Sequence, residues 1–163
     1  MITKLLKSTL LVLIGALNVG QFIRPAKNIY SDQTHAIESK HAVPLDVQAL
    51  LKNSCYDCHS NNTRYPWYAE VQPVGWLLDN HIQGGKRKLN FSEFTSYRVR
   101  RQDHELEEIG DMVSEGLMPL PSYLILHRDA KLSEEQKEKL IAWADATRES
   151  MKTMYPPDSL AGK

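Results

Sequence analysis

Two cysteines, three positions apart, are all that this chain of 163 residues carries, so no framework of disulfides holds it together. It also lacks net charge: 20 Lys and Arg stand against 20 Asp and Glu. Bulk electrostatics therefore give no reason to expect a nucleic acid or an anionic surface as partner. Strand-like alternation is missing around residues 51–60, which weakens the reading as a thioredoxin-type dithiol in a βαβ setting. A closed zinc site would need a second half. His35, His41, His81, His104 and His127 are available, but none forms one, because there are no further cysteines.

What is there is Cys55-Tyr56-Asp57-Cys58-His59. Cys-x-x-Cys followed at once by His is the spacing at which two thiols join the vinyl groups of one haem. A single turn of chain brings both sulfurs to one edge of the porphyrin, and His59 follows as the proximal iron ligand. Downstream, Gly116-Leu117-Met118-Pro119 places a methionine just after a helix-ending glycine, and a thioether on a loop suits the sixth position of an electron-transfer haem. Met118 lies 59 residues beyond His59, which leaves room for about two helices at ~1.5 Å rise per residue.

The rest of the chain reads as helices and connections. Lys4 and Lys7 lead an apolar run to Ile23, of which Ser8 to Ile23 is 16 residues, short of the ~20 of a comfortable span unless Leu5 and Leu6 extend it while Lys7 snorkels. No small-x-small cleavage site closes the run; the nearest is around Ala16. An uncleaved inner-membrane anchor over residues 1–24 is therefore preferred to a removed signal that would leave a soluble periplasmic protein. The basic leading segment stays cytoplasmic and the remainder lies in the periplasm. Residues 25–42 are polar and without apolar period, and read as a tether with His35 and His41 solvated.

Residues 43–150 are long enough for one modest core. Pro44 opens a helix whose Val47, Leu50 and Leu51 share a face and lead into Cys55. A second helix runs from Pro73, with Val74, Leu77, Leu78 and His81 on one face and Gly84-Gly85 as its stop. His81 on that face is the rival distal ligand, giving a bis-histidine iron. Between these helices Tyr65, Trp67 and Tyr68 read as walls of the ring, and Arg64 as a partner for a propionate. Lys86 to Arg101 is basic and reads first as solvated surface, with a docking patch for a redox partner as the second reading. Leu106, Ile109, Met112 and Val113 form a third amphipathic helix, with Met112 as core packing and Met118 on the following loop. Tyr123 to His127 is a short piece that closes over the haem edge. Ser133 and Gln136 form a capping box that starts the last helix, on which Leu140, Ile141 and Ala144 share a face. Residues 151–163 read as a frayed tail.

These residues resemble the small haem-binding domains, often membrane-tethered, of bacterial envelope proteins, which are distantly similar to class I cytochromes c. The resemblance covers residues 43–143. It rests on the run Cys55 to Asn62, on Tyr65-Pro66-Trp67-Tyr68, on Asn90-Phe91-Ser92-Glu93-Phe94, and on Met118-Pro119 with Tyr123, His127, Leu132 and Ser133. It implies an all-α fold with one haem c in its core, carried by Cys55 and Cys58, with iron held by His59 and Met118. The function expected is one-electron transfer with an unknown redox partner in the envelope, not catalysis and not nucleic-acid binding. A peroxidase-like haem enzyme, a gas or redox sensor with a displaceable sixth ligand, or a haem-bearing assembly factor without turnover are the other readings.

Overall fold

The computed structural model describes residues 2–160. Among them every named element is helical, in the all-α class that the sequence implies, and the single extended pairing is an isolated bridge between Ile29 and Asn62. Helix α1, Ile2–Gly20, has 19 residues with mean hydropathy 1.6 and buries almost none of its surface within the chain. It is the one described helix long and apolar enough to cross a membrane.

The core is built by α2 (Leu45–Ser54), α5 (Val99–Ser114) and α7 (Glu134–Met154). Leu51, Leu106, Leu140 and Met151 are fully buried where these helices meet. Helix α7 starts where Ser133 accepts from the Gln136 amide and Gln136 returns the bond to Ser133, the reciprocal cap expected from the sequence. Arg148 of α7 then reaches Asp103 and Glu107 of α5, which fixes the two helices side by side. The helix runs on to Met154, and the short α8, Pro157–Leu160, folds back onto α5. The expected frayed tail is thus ordered packing as far as Leu160, because Met151 is buried and Leu160 touches the core; residues 161–163 lie outside the described residues.

The segment read as a tether is likewise part of the domain. Ile37 is fully buried, and the Asn28 side chain donates to the Ser60 carbonyl at 2.8 Å and to Thr63 Oγ1 at 2.9 Å. His41 is buried rather than solvated: its Nε2 lies 3.1 Å from Gln102 Oε1, and its ring meets the edge of Phe94. Burial pushes the His41 pKa below its ordinary value, so the neutral ring is the native form.

Helix α4, Val74–Lys88, passes through both glycines that the sequence offers as its stop. Gly85 is there for closeness: a Cβ on it would stand 2.7 Å from the carbonyl oxygen of Cys58. The buried positions of α4 are Gly75 and Ile82, while Val74 and Leu77, on the face expected to be core, are exposed.

Candidate functional site

Helix α2 ends at Ser54 with Cys55 as its cap, and α3, Tyr56–His59, follows as one turn. The turn is closed by Cys58 and His59 amides donating to the Cys55 carbonyl at 3.2 and 2.9 Å. Its outer side is clamped through Asp57, which is buried and accepts from the backbone amide and guanidinium of Arg64 and from the Tyr123 hydroxyl at 2.7 Å. Tyr123, on the single-turn helix α6 (Pro121–Leu124), stacks on His127 with ring centres 4.1 Å apart, and His127 in turn bonds Tyr68. On the other side Asn61 receives the Asn90 amide at 2.8 Å and donates to Glu93, so the Asn90–Phe94 segment braces the exit from α3.

His59 is set by its own hydrogen bond. Nδ1 stands 3.0 Å from the Leu89 carbonyl oxygen, and since a carbonyl only accepts, Nδ1 carries the proton and Nε2 keeps its lone pair. Desolvation pushes the His59 pKa below its ordinary value, outweighing the Leu89 bond, so the ring is a neutral base. A neutral imidazole with one nitrogen fixed on a backbone carbonyl and the other free is suited to bind a metal, with its tautomer already chosen.

Beside this ring lies a cavity of about 520 Å³ lined by Cys55, His59, Leu89, Phe91, Met112 and Met118 among others, with Lys88, His104, Glu105 and Glu108 as its polar part. Helix α5 presents Met112 to it and then ends in a tight reversal. Gly116 takes φ +70°, its amide donates to the Val113 carbonyl at 3.1 Å, and the Leu117 amide to the Met112 carbonyl at 2.9 Å. This is a Schellman closure, in which the left-handed residue is a glycine because it has no Cβ to clash. The Met118 amide also reaches the Met112 carbonyl, at 3.1 Å, which pins Met118 to the end of α5 while its side chain lines the cavity.

Of the residues singled out from sequence, the fold brings Cys55, His59 and Met118 to one cavity, with Cys58 one position before His59 against Gly85. His81 does not line it. Nor do Arg64, Tyr65, Trp67, Tyr68, Tyr123 or His127. Arg64 is committed to Asp57, and Tyr68 and Tyr123 to the clamp behind α3, which corrects the expectation that they wall the ring or pair a propionate. Both thiols are free, and burial raises them, Cys55 to about 12 and Cys58 to about 11. Thiols held protonated at neutral pH are poor attacking groups, the reverse of a thioredoxin-type dithiol. No group of three or more His, Cys, Asp or Glu side chains suited to a bare metal ion occurs among the described residues.

A family model for the haem-binding domain matches residues 15–146. The chain belongs to the haem-binding domain family. No curated protein and no solved structure matches it. The residues of this haem-binding domain fit the group that the family binds. The cavity falls within the ~300–1,000 Å³ of cofactor pockets, and a free imidazole nitrogen, two soft thioethers and two reduced thiols lie in or beside it.

Three contributors were invisible to motif reading. The Leu89 carbonyl is backbone and has no side-chain signature. Gly85 carried a signal, but one shared with a helix stop. Asp57 sits at a variable position inside the motif, and only the fold shows that Arg64 and Tyr123 converge on it.

Proposed function

We propose that this haem-binding domain is a c-type monohaem protein that passes single electrons on the outer side of a bacterial inner membrane. Cys55 and Cys58 would carry the haem through thioethers, and His59 Nε2 and the Met118 sulfur would hold its iron. Haem held there supplies a one-electron ferrous/ferric couple. The observation that carries the reading is the meeting of His59 and Met118 at one cavity, with His59 already fixed by Leu89.

Each residue then has a physical task. Burial keeps the imidazole neutral, and the Leu89 carbonyl orients it and raises its basicity as a ligand. Met118, a soft donor on a loop that the Schellman turn anchors, favours the ferrous state. Lys88 and His104 are the cavity's cationic or potentially cationic side chains, and take the role for propionates that the sequence suggested for Arg64. Leu89, Phe91, Ile109 and Val113 exclude water from the rest. With two thioethers and no arginine at the described lining, the site favours electron transfer over peroxidase chemistry. The redox partner approaches the polar side of the cavity, and α1 keeps the domain at the membrane.

The test is the optical spectrum of protein matured in a host able to attach haem. A low-spin spectrum with a methionine-to-iron charge-transfer band in the ferric state supports the reading. A high-spin ferric spectrum overturns the ligation and favours an enzyme or sensor.

A further inference from the structure

The anchor helix does not simply lead into the domain; its last turn is built into it. Gly20 is the one buried residue of α1 and lies under Trp76 of α4, where a Cβ would stand 3.2 Å from the indole. The Trp76 indole N–H donates to the Ile23 carbonyl at 2.7 Å. Gln21 and Gln72 are joined twice, through Gln21 Nε2 to the Gln72 carbonyl at 3.0 Å and the Gln72 amide to Gln21 Oε1 at 2.9 Å. Glu70 pairs with both Arg24 and Lys27.

At this same end the domain exposes a group of apolar side chains. Trp67 is 81% exposed, Leu77 57% and Val71 45%, and Val74, Trp76 and Phe22 are exposed beside them. Apolar residues at helical spacing on α4 ordinarily face a core. Here the core lies on the Gly75 and Ile82 side, so this face is left for another medium. Trp76 and Gln72 are hydrogen-bonded to residues 21–23, which would put them at the depth where a membrane-spanning α1 leaves the bilayer. Tryptophan prefers that depth, with its ring among acyl chains and its N–H satisfied. The one acid at the junction, Glu70, is neutralised by two cations.

We infer that the domain is seated on the membrane: the face formed by Trp67, Val71, Val74, Trp76 and Leu77 lies in the lipid interface beside the end of α1. This holds the domain in one orientation instead of on a free tether. The inference rests on reading α1 as a retained anchor.

The experiment reconstitutes the full-length holoprotein in phosphatidylcholine and phosphatidylglycerol vesicles containing a phospholipid with a diazirine near the headgroup end of its acyl chain. After photolysis, labelled residues are mapped by mass spectrometry, with a water-soluble diazirine as the complementary probe. Seating predicts lipid label on residues 67–77 as well as on α1. It also predicts that the V71E/L77E variant, at exposed positions away from the haem cavity, loses at least several-fold of the label on residues 67–77 while α1 keeps its own. Label on α1 with residues 67–77 reached only by the aqueous probe overturns seating and leaves the anchor standing. No label on either overturns the anchor and seating together. Protection of residues 67–77 from the aqueous probe only in native membranes, without lipid label, overturns the lipid assignment in favour of a protein partner.

Discussion

His59 donates from Nδ1 to the carbonyl oxygen of Leu89 at 3.0 Å. That bond joins the end of the Cys-x-x-Cys-His turn to the residue just beyond α4, and it makes the position of one imidazole depend on how α4 packs against α3. The His59 imidazole is therefore positioned by two helices, of which only one carries the motif.

Attachment gives the first prediction. With both thioethers formed by Cys55 and Cys58, haem stays with the polypeptide through denaturation and acid-acetone extraction. The Cys55→Ala/Cys58→Ala variant releases it or never holds it. Extractable haem in fully matured wild-type protein would show that the attachment is not covalent.

The sixth ligand gives the second. Met118→Ala leaves the iron high-spin or water-ligated, lowers the potential because soft sulfur is lost, and admits carbon monoxide. Met112→Ala keeps the low-spin spectrum and loses stability by about 1–2 kcal/mol, less than a fully buried methionine. His81→Ala leaves the spectrum unchanged, since that side chain does not line the cavity. An unaltered spectrum in Met118→Ala combined with loss of the low-spin signal in either control moves the ligand to that residue.

The third concerns residues 25–42. Ile37 is fully exposed in a tether and fully buried in this fold. Ile37→Ala therefore costs about 2–5 kcal/mol, as other core truncations do, and chemical denaturation of the holoprotein measures it. A change within about 0.5 kcal/mol, the range of surface substitutions, would return the segment to a tether.

Much of this was legible in the sequence because it is local. The haem motif, the Ser133 cap and the glycine after α5 are each defined by neighbours within five residues, and the fold places the cap and the glycine as their spacing predicts. What was not legible depends on distant surfaces. Periodicity marked Val74, Leu77 and His81 as a coherent face but carried no information on what covers it. Residues 25–42 have no period, because hydrogen bonds from Asn28 and a few buried side chains hold them instead of a helix face. The aromatic run from Tyr65 gave rings without directions: Tyr68 joins the clamp behind α3, Tyr65 accepts from the Asn28 amide, and Trp67 is exposed.

His41 gives the fourth prediction. Its pKa is lowered by burial, so the unfolded chain takes up a proton at a higher pH than the native one. The stability that neutral His41 supports is fully present above its ordinary value of 6.5 and is lost as pH falls from there toward the lower native value. Denaturation midpoints at about pH 7.5 and about pH 5 should differ more in wild type than in His41→Leu, which has no proton to bind at that site. Equal differences would place the titration elsewhere.

The two adjacent glycines of α4 give the last. In a helix interior alanine is favoured over glycine by about 1 kcal/mol, so on propensity alone Gly84→Ala and Gly85→Ala both stabilise. Their surroundings differ. At Gly84 the nearest atom to a new Cβ is Arg87 Nη2 at 3.9 Å, an exposed and movable group; at Gly85 it is the Cys58 carbonyl oxygen at 2.7 Å, which is backbone. Gly84→Ala should be neutral or stabilising by up to ~1 kcal/mol. Gly85→Ala must push α4 off α3, at about 1–3 kcal/mol for overpacking, and the shift carries Leu89 away from His59. Haem yield and the low-spin spectrum of Gly85→Ala therefore suffer while those of Gly84→Ala do not, a split that a general loss of helix stability would not produce. If the two variants mature and denature alike, the contact between Gly85 and Cys58 does not position the haem ligand.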